Sequence, residues 1–393
     1  MVGGGIIGTC TALFLARVGA SVTVVEKDLG FERSSTARSA SAIRQQFNLG
    51  VNVAMSQFGY AFYTQLADYL PGAAEPHIDF VERGYLILAT QDGRARLQAA
   101  YDRQVGNGAQ VELLDRDELR RRFPWVKGDD LGGATFGTAG EGWFDPVRAL
   151  AAVREGAITL GVSYVEAEVT QVHVDGGRVA GVGLGSGKTI RCSYVVDAAG
   201  PRAAAVARQV GVTIPIEARK RTAFLFRPEH GLDDMPNLVD PTVAGRGLYV
   251  RPYEDLYMAV TAPPPERDPD TDDLAPDLYL FEDIIRGALA RRVEGFEEVE
   301  LVRAWAGHYE MNTLDQNAII GPLAEVEGFL FACGLSGHGV MHAPAIGRGI
   351  AELVSEGCYT TIDLSPFSFE RIRRGETLDD IQPSEVRRTA AGI

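Results

Sequence analysis

Apolar and polar positions alternate along this chain in two recognisably different styles. Residues 9–18 are predominantly apolar, which predicts a buried helix, and residues 20–25 predict a strand ending in Glu26. A second helix is expected over about 51–70. Asp145-Pro146 opens a third, running to about 160, with proline in its first turn. Residues 162–168 alternate as a strand, and 171–174 and 178–184 form a hairpin across Asp175-Gly176-Gly177. Residues 194–200 read as a buried strand ending in small residues. Residues 328–353 read as strand, glycine-rich turn and helix, with the helix expected from 345 to 356. Two other stretches differ in style. Residues 84–125 open with strand 85–88 and continue as a charged amphipathic helix. Residues 222–305 carry aromatic strands at 224–226, 248–250 and 256–258, an acidic, proline-rich loop at 263–277, and a helix near 281–292. The tail, 370–393, is polar and weakly patterned, and is expected to be extended or frayed. There is no internal repeat.

The most informative segment is Gly3-Gly4-Gly5-Ile6-Ile7-Gly8, with Gly3, Gly5 and Gly8 as the fixed positions of a G-x-G-x-x-G signature. Gly3 permits a tight strand-to-helix turn, Gly5 lets a pyrophosphate approach the backbone, and Gly8 lets helix and strand pack closely. The helix start then offers free N–H groups to phosphate. Glu26, closing the next strand, suits a ribose 2′-hydroxyl and repels a 2′-phosphate, which favours FAD or NAD over NADP. Only Met1 and Val2 precede the motif, where a strand of about five residues is expected. The expectation is therefore either a chain that starts upstream or a shortened central strand with weakened cofactor retention. A short apolar extension would then raise flavin occupancy and thermal stability.

Composition narrows the class. A chain of 393 residues, 46% hydrophobic and 23% charged, suits a two-domain globular enzyme. A net charge of −15 argues against nucleic acid or an anionic membrane as partner. Cys10, Cys192, Cys333 and Cys358 form no C-x-x-C pair, so neither a metal site nor a disulfide framework is expected, and a reducing, cytoplasmic setting is. The apolar stretch 6–16 mimics a signal peptide but lacks a positive leader, and no stretch is long enough for a membrane span. The oligomeric state is left open.

Two further segments carry candidate chemistry. Residues 333–344 place Gly334, Ser336, Gly337, His338 and Gly339 in a tight turn before a helix, followed by Val340, Met341 and His342. A helix start beside a flat cofactor stabilises negative charge on it. An ordinary capped turn looks the same in isolation, but less so downstream of a dinucleotide-type amino terminus. Residues 34–47, with Ser35, Thr36, Arg38, Ser39 and Arg44, are rich in small, polar and basic side chains suited to a pyrophosphate and the polar edge of a flavin. Arg44 is the candidate for an anionic substrate group, since guanidinium grips carboxylate bidentately. Tyr249, Arg251 and Tyr253 lie near a strand end, Tyr249 and Arg251 sharing a face. Sheet aromatics and a solvated arginine explain them about as well as a substrate role.

Together these motifs, with Val196-Asp197-Ala198-Ala199-Gly200-Pro201 and Trp305-Ala306-Gly307-His308-Tyr309-Glu310, resemble the D-amino-acid-oxidase-like superfamily of FAD oxidoreductases, specifically its sarcosine/dimethylglycine oxidase branch, over residues 3–369. The resemblance implies an α/β fold: a Rossmann-like FAD-binding domain (1–82, 144–220 and 306–369) interleaved with an α+β substrate domain (83–143 and 221–305) on a mixed or antiparallel sheet. It adds Lys27, Val169, Ala199 and Gly200 to the cofactor-binding residues, and places Arg44, His338, Tyr249 and Arg251 at the reacting end. It implies oxidation of a C–N bond next to a carboxylate by hydride transfer to flavin N5, with O2 or an electron carrier as acceptor. Departures sharpen this. Tyr309 stands where glycine and D-amino-acid oxidases place a carboxylate-binding arginine, which disfavours a primary D-amino acid. Gly307 stands where monomeric sarcosine oxidases attach flavin to cysteine, so the FAD is expected to be non-covalent. Their second carboxylate cation, a lysine, falls on Met341, and no lysine near Met258 and Ala259 matches their oxygen-activating one. The expected substrate is an N-substituted amino acid. The alternatives are a 2-hydroxy-acid or amino-acid dehydrogenase serving a quinone or protein carrier, and a non-catalytic assembly factor without space beside Arg44.

Overall fold

The computed structural model describes residues 1–71, 76–243, 247–378 and 380. Helix Ile6–Arg17 follows the glycine turn and strand Thr23–Glu26 follows the helix. The helix is buried from Ile6 to Leu15 because its residues are apolar or small on every face. Its two threonine hydroxyls are absorbed locally, donating to the Gly4 and Ile7 carbonyls at 2.8 and 2.7 Å.

Strand Thr23–Glu26 pairs in parallel with Ser163–Glu166. Strand Val195–Asp197 pairs in parallel with Phe329–Cys333, whose far edge takes Ile319–Pro322 antiparallel. Residues 1–3 join these two pieces. Val2 bridges both Val25 and Asp197, donating to the Val196 carbonyl at 3.0 Å, while Gly3 donates to that of Val25 at 2.9 Å. The central position of the sheet is thus held by a single rung.

Helix Ile6–Arg17 packs against Pro146–Thr159 and Gly339–Glu356, and the latter packs against Gly50–Thr64. The crossings are backbone contacts. A Cβ on Gly347 would lie 2.8 Å from the Cys10 carbonyl, and one on Gly59 would collide with the Met341 carbonyl oxygen. The helix expected from 345 in fact starts at Gly339, with Pro344 inside it. Proline removes the N–H that would bond the carbonyl four residues back. That carbonyl, Val340, is taken instead by the Tyr63 hydroxyl at 2.9 Å, so the helix runs through the proline unbroken.

The second large layer is an eight-stranded mixed sheet. Its order is Val299–Asn312, Ile216–Pro228, Leu256–Thr261, Leu248–Tyr253, Asn237–Asp240, Tyr85–Thr90, Leu131–Gly137 and Val111–Asp115. Only the Asn237–Asp240 and Tyr85–Thr90 pair is parallel. On one face Phe224, Phe226, Tyr257, Phe281 and Phe296 form a core that covers helix Arg286–Arg292. Alternation along the strands turns Ala223, Tyr249, Val260 and Val239 to the other face, where they line a cavity. Strands Ile216–Pro228 and Val299–Asn312 pair along nearly their whole length and pass straight through the expected boundaries at 220 and 305. A small sheet of Ala42–Ile43, Gly142–Trp143 and Val81–Glu82 brings Ala42 to the cavity wall, and the expected hairpin, Val169–Asp175 with Arg178–Leu184, brings Val169 and Thr170.

The tail departs from expectation at its start. Phe369–Arg373 is a short helix, and the buried Arg371 pairs with buried Asp315 at 2.7 Å. Asp380 accepts from the amides of Asn48 and Leu49 at 2.5 and 2.9 Å, capping helix Gly50–Thr64, whose own N-cap residue offers no side-chain bond. Five residues are too few to show a period, so tertiary partners carry this helix. Residues 379 and 381–393 lie outside those described.

The helix crossing at Gly347 predicts a contrast between two Gly→Ala changes. Gly347→Ala forces a methyl against the Cys10 backbone and should cost about 1–3 kcal/mol. Gly287→Ala, in helix Arg286–Arg292 with nothing within 4 Å, should gain about 0.5–1 kcal/mol. Denaturant unfolding of both variants with equal cofactor loading checks this; equal effects at the two sites would contradict the packing.

Candidate active site

The cavity has a volume of about 1140 Å³ and runs between the parallel sheet and the open face of the eight-stranded sheet. At one end the glycine turn shapes it. Gly3 has φ +97°, and a Cβ there would collide with the Ala198 carbonyl oxygen. Gly5 caps the first helix and faces open space except for the Thr36 hydroxyl, which accepts from the Ile6 amide at 3.0 Å. Glu26 accepts from the Gly4 and Asp28 amides at 2.8 and 3.1 Å while bordering the cavity beside Lys27. Ser35, Thr36, Arg38, Ser39, Val169, Ala199 and Gly200 line its middle. Arg38 ties this segment to the long strand. Its Nη1 donates to the Ala306 carbonyl at 2.9 Å, and its own carbonyl accepts from Trp305 Nε1 at 3.1 Å. A Cβ on Gly307 would lie 2.9 Å from the Arg38 Cβ, so the backbones meet where a larger side chain would need room.

At the other end stand Arg44, Tyr85, Tyr249, His338 and Met341. Arg44 is buried, 9% exposed, and its guanidinium lies 4.4 Å from the Phe47 ring centre. Its Nη2 donates to His338 Nε2 at 3.0 Å and its Nη1 approaches the Gln46 carbonyl at 3.4 Å. Among the described residues no carboxylate lies within ion-pair distance of it. Burial, then Arg44 and His342, push His338 well below the ordinary imidazole range, so the ring is neutral. Because Arg44 can only donate, the ring proton belongs on Nδ1. His342, bonded to Ser56 at 3.1 Å, is pushed down to about 3, chiefly by burial. Tyr249 donates to Asn237 at 2.6 Å, and burial raises its phenol to about 12, so it is a neutral donor at any physiological pH.

The loop bearing Arg44 is held from behind. Glu141, fully buried, accepts from the Gln45 amide at 2.6 Å and Gln46 Nε2 at 2.9 Å, and burial lifts it to about 7. Gln46 also bonds the Tyr85 carbonyl and the Thr135 hydroxyl.

Ser336, Gly337, Gly339 and Val340 also line the cavity, and Gly337 comes against the hydroxyl end of the Tyr309 ring. Three of the expected site residues lie off the cavity wall. Gly8 faces the Gly3 carbonyl, and Gly334 packs on Ile216 and donates to Glu310 at 3.2 Å. Arg251 does share its face with Tyr249, but Ala40 and Trp143 cover it. Its guanidinium bonds the Pro252 and Ala40 carbonyls at 2.8 Å and lies over the Trp143 ring, which makes it a brace. Residues that sequence reasoning did not single out for the site, and that line it, include Tyr85, Arg202, Arg221 and Glu310. Tyr85 opens an apolar strand, and Tyr249 stands second in another, which was the available signal. Arg221 is neutralised by Asp268 at 2.8 and 3.2 Å.

Among the described residues no helix is long and apolar enough to cross a membrane, and no cluster of three His, Cys, Asp or Glu could hold a metal.

Comparison with known proteins places this architecture. The family model described as FAD dependent oxidoreductase matches residues 1–353, so the chain belongs to that family. It is 36% identical to the bovine (Bos taurus) FAD-dependent oxidoreductase domain-containing protein 1, over 96% of this chain and 85% of that one. It is 26% identical to human (Homo sapiens) mitochondrial sarcosine dehydrogenase, over 91% of this chain and 39% of that protein. Among solved structures, L-proline dehydrogenase from P. horikoshii superposes with a TM-score of 0.85 at 26% identity, covering 96% of this chain and 98% of that one. The protein is thus an FAD-dependent oxidoreductase with a mixed α/β fold.

The residues present fit FAD. The turn at Gly3 and Gly5 leaves a cradle that side chains would fill, and the buried Ser35 hydroxyl, on the cavity wall, has no protein partner. With no thiol at Gly307 and the Arg38 backbone against it, FAD should be released on acid precipitation. Flavin absorbance in the supernatant is the expected result; flavin that stays with the pellet through denaturing electrophoresis would contradict it.

Proposed function

We propose that the chain oxidises an N-substituted amino acid of the sarcosine type, placing it within the sarcosine-oxidising branch of its family, with residues 1–82, 144–220 and 306–369 holding FAD and 83–143 and 221–305 forming the substrate side. The observation that carries the reading is Arg44: a buried, charged guanidinium on the cavity wall, bonded to a neutral histidine and without a carboxylate in contact among the described residues. Such a group has donors left for a ligand carboxylate, whose charge it needs. FAD, when bound, supplies the acceptor for the hydride lost from the carbon beside nitrogen. Arg44 orients the carboxylate. Tyr85 and Tyr249 are neutral polar neighbours, and Ala223, Val239 and Val260 leave a small apolar surface for an N-alkyl group or ring. The imine product hydrolyses in water. No side chain here is poised as a strong base, so catalysis rests on orientation and on exclusion of water.

The cavity continues beside Arg44, the space that a non-catalytic assembly factor would lack. A second reading concerns the electron acceptor. Lys27, beside Glu26, is the only lysine among the described residues lining the cavity, so nothing near Arg44 resembles an oxygen-activating lysine. This favours a dehydrogenase that passes electrons to a carrier.

Anaerobic mixing of the holoprotein with sarcosine, N,N-dimethylglycine, proline and pipecolate tests the substrate class. At least one should bleach the flavin band, and Arg44→Met should raise KM about 100-fold with a smaller change in kcat. A spectrum that stays fully oxidised with the whole panel sinks the proposal. Reoxidation should be faster with an artificial acceptor than with air.

A further inference from the structure

Glu310 is a carboxylate on the cavity wall that the mechanism above does not use. It projects from strand Val299–Asn312, and its oxygens lie between the turn at Gly200 and the start of helix Gly339–Glu356. Cβ positions on Gly200 and Gly339 would each be 3.9 Å from one of them. The Gly334 amide donates to it at 3.2 Å. Lys27, Arg33, Arg38, Arg44, Arg202 and Arg221 line the same cavity, yet among the described residues none forms an ion pair with Glu310. Arg202 is paired with Asp272 and Arg221 with Asp268.

The side chains facing Glu310 give it no counter-charge. From strand Val195–Asp197 it meets fully buried Asp197, whose Oδ2 has no partner and whose carboxyl burial raises well above the ordinary range. Phe329–Cys333 contributes the Cys333 thiol, which both carboxyls help push up. Directly across the strand pair stands Ala218. The Gly339 helix start presents its amide end, whose partial positive charge favours the ionised form, and the neutral ring of its N-cap residue His338. Burial already lifts Glu310 to about 7, against the downward pull of the Gly334 and Leu335 amides. Glu310 lines the cavity, so a cofactor bound there would remove its remaining water and would bring the negative charge of its diphosphate into the same cavity. Both changes favour the uncharged acid.

We propose that Glu310 takes up one solvent proton as FAD binds and stays neutral beneath the cofactor, so that FAD retention is linked to pH through this residue. The inference rests on FAD binding alone and not on the substrate proposed above. The sign follows from linkage. Below the apoprotein pKa Glu310 is already protonated and affinity is independent of pH. Above it, binding must recruit a proton, and affinity falls about tenfold per pH unit.

FAD titration of the apoprotein, followed by flavin fluorescence from pH 5.5 to 9, tests this, together with calorimetry at pH 8 in buffers of different ionisation enthalpy. The wild-type chain should show a Kd flat below about pH 6, rising about tenfold per unit above 7, with about one proton taken up per FAD. Glu310→Gln should bind with little pH dependence and no uptake assignable to this site. Asp197→Asn should keep the wild-type slope. Zero uptake by the wild-type chain overturns the proposal even if Glu310→Gln fails to fold. So does a Glu310→Gln protein that keeps the slope, which would move the linkage to Asp197 or to Glu141 behind Arg44. No substrate is present, so failure of the amino-acid reading is a separate result.

Discussion

The Arg44 guanidinium, buried with no carboxylate in contact among the described residues, is the constraint on which this end of the cavity depends. Charge in a low-dielectric site is costly unless it is compensated. Around Arg44 the compensation is diffuse: a neutral imidazole acceptor, the face of Phe47, a distant backbone carbonyl, and Glu141 behind the loop. Any one carboxylate at contact distance would quench the site for a ligand. At Arg221 that has happened, since Asp268 accepts from both terminal guanidinium nitrogens. The two arginines border one cavity; Arg221 is held in a fixed pair, whereas Arg44, on the reading proposed above, keeps donors for a ligand.

Holding Arg44 in this state requires elements from most of the chain. His338 arrives at the start of helix Gly339–Glu356, which is locked to the first helix at Gly347 and to Gly50–Thr64 at Gly59. The residues from Arg44 to Phe47 are held by Glu141 on one side and lead into a helix capped by Asp380 on the other. The opposite wall comes from the eight-stranded sheet. At the far end, residues 1–3 bridge two strand pairs and hold the glycine turn against Ala198. One end of the cavity is therefore shaped by close backbone contacts, and the other by buried polar groups that are balanced without being neutralised.

That the glycine turn, Glu26, Arg44 and His338 belong to one cavity wall was legible because motif spacing and backbone conformation belong to short segments. The fold class was legible for the same reason. What short segments cannot carry is tertiary cover. Tyr249 and Arg251 do share a face, but whether that face opens on a cavity depends on Ala40 and Trp143, which come from elsewhere in the chain. Glu141 and Glu310 look like ordinary polar residues until two layers of sheet enclose them. The helix start at Gly339 was hidden by Pro344, since the hydroxyl that frees the helix from the proline belongs to Tyr63, 277 residues away along the chain. The Phe369–Arg373 helix depends likewise on Asp315.

The central claim is that Arg44, poised by neutral His338, is a receptor for carboxylate beside the flavin. The most direct measurement is a visible-spectrum titration of oxidised holoprotein with non-oxidisable carboxylates, acetate and benzoate, set against acetamide and benzamide. Carboxylates should perturb the flavin band saturably, the amides should not, and Arg44→Met should lose the response while keeping its FAD. Equal responses to acids and amides, or a full carboxylate response from Arg44→Met, would contradict the account.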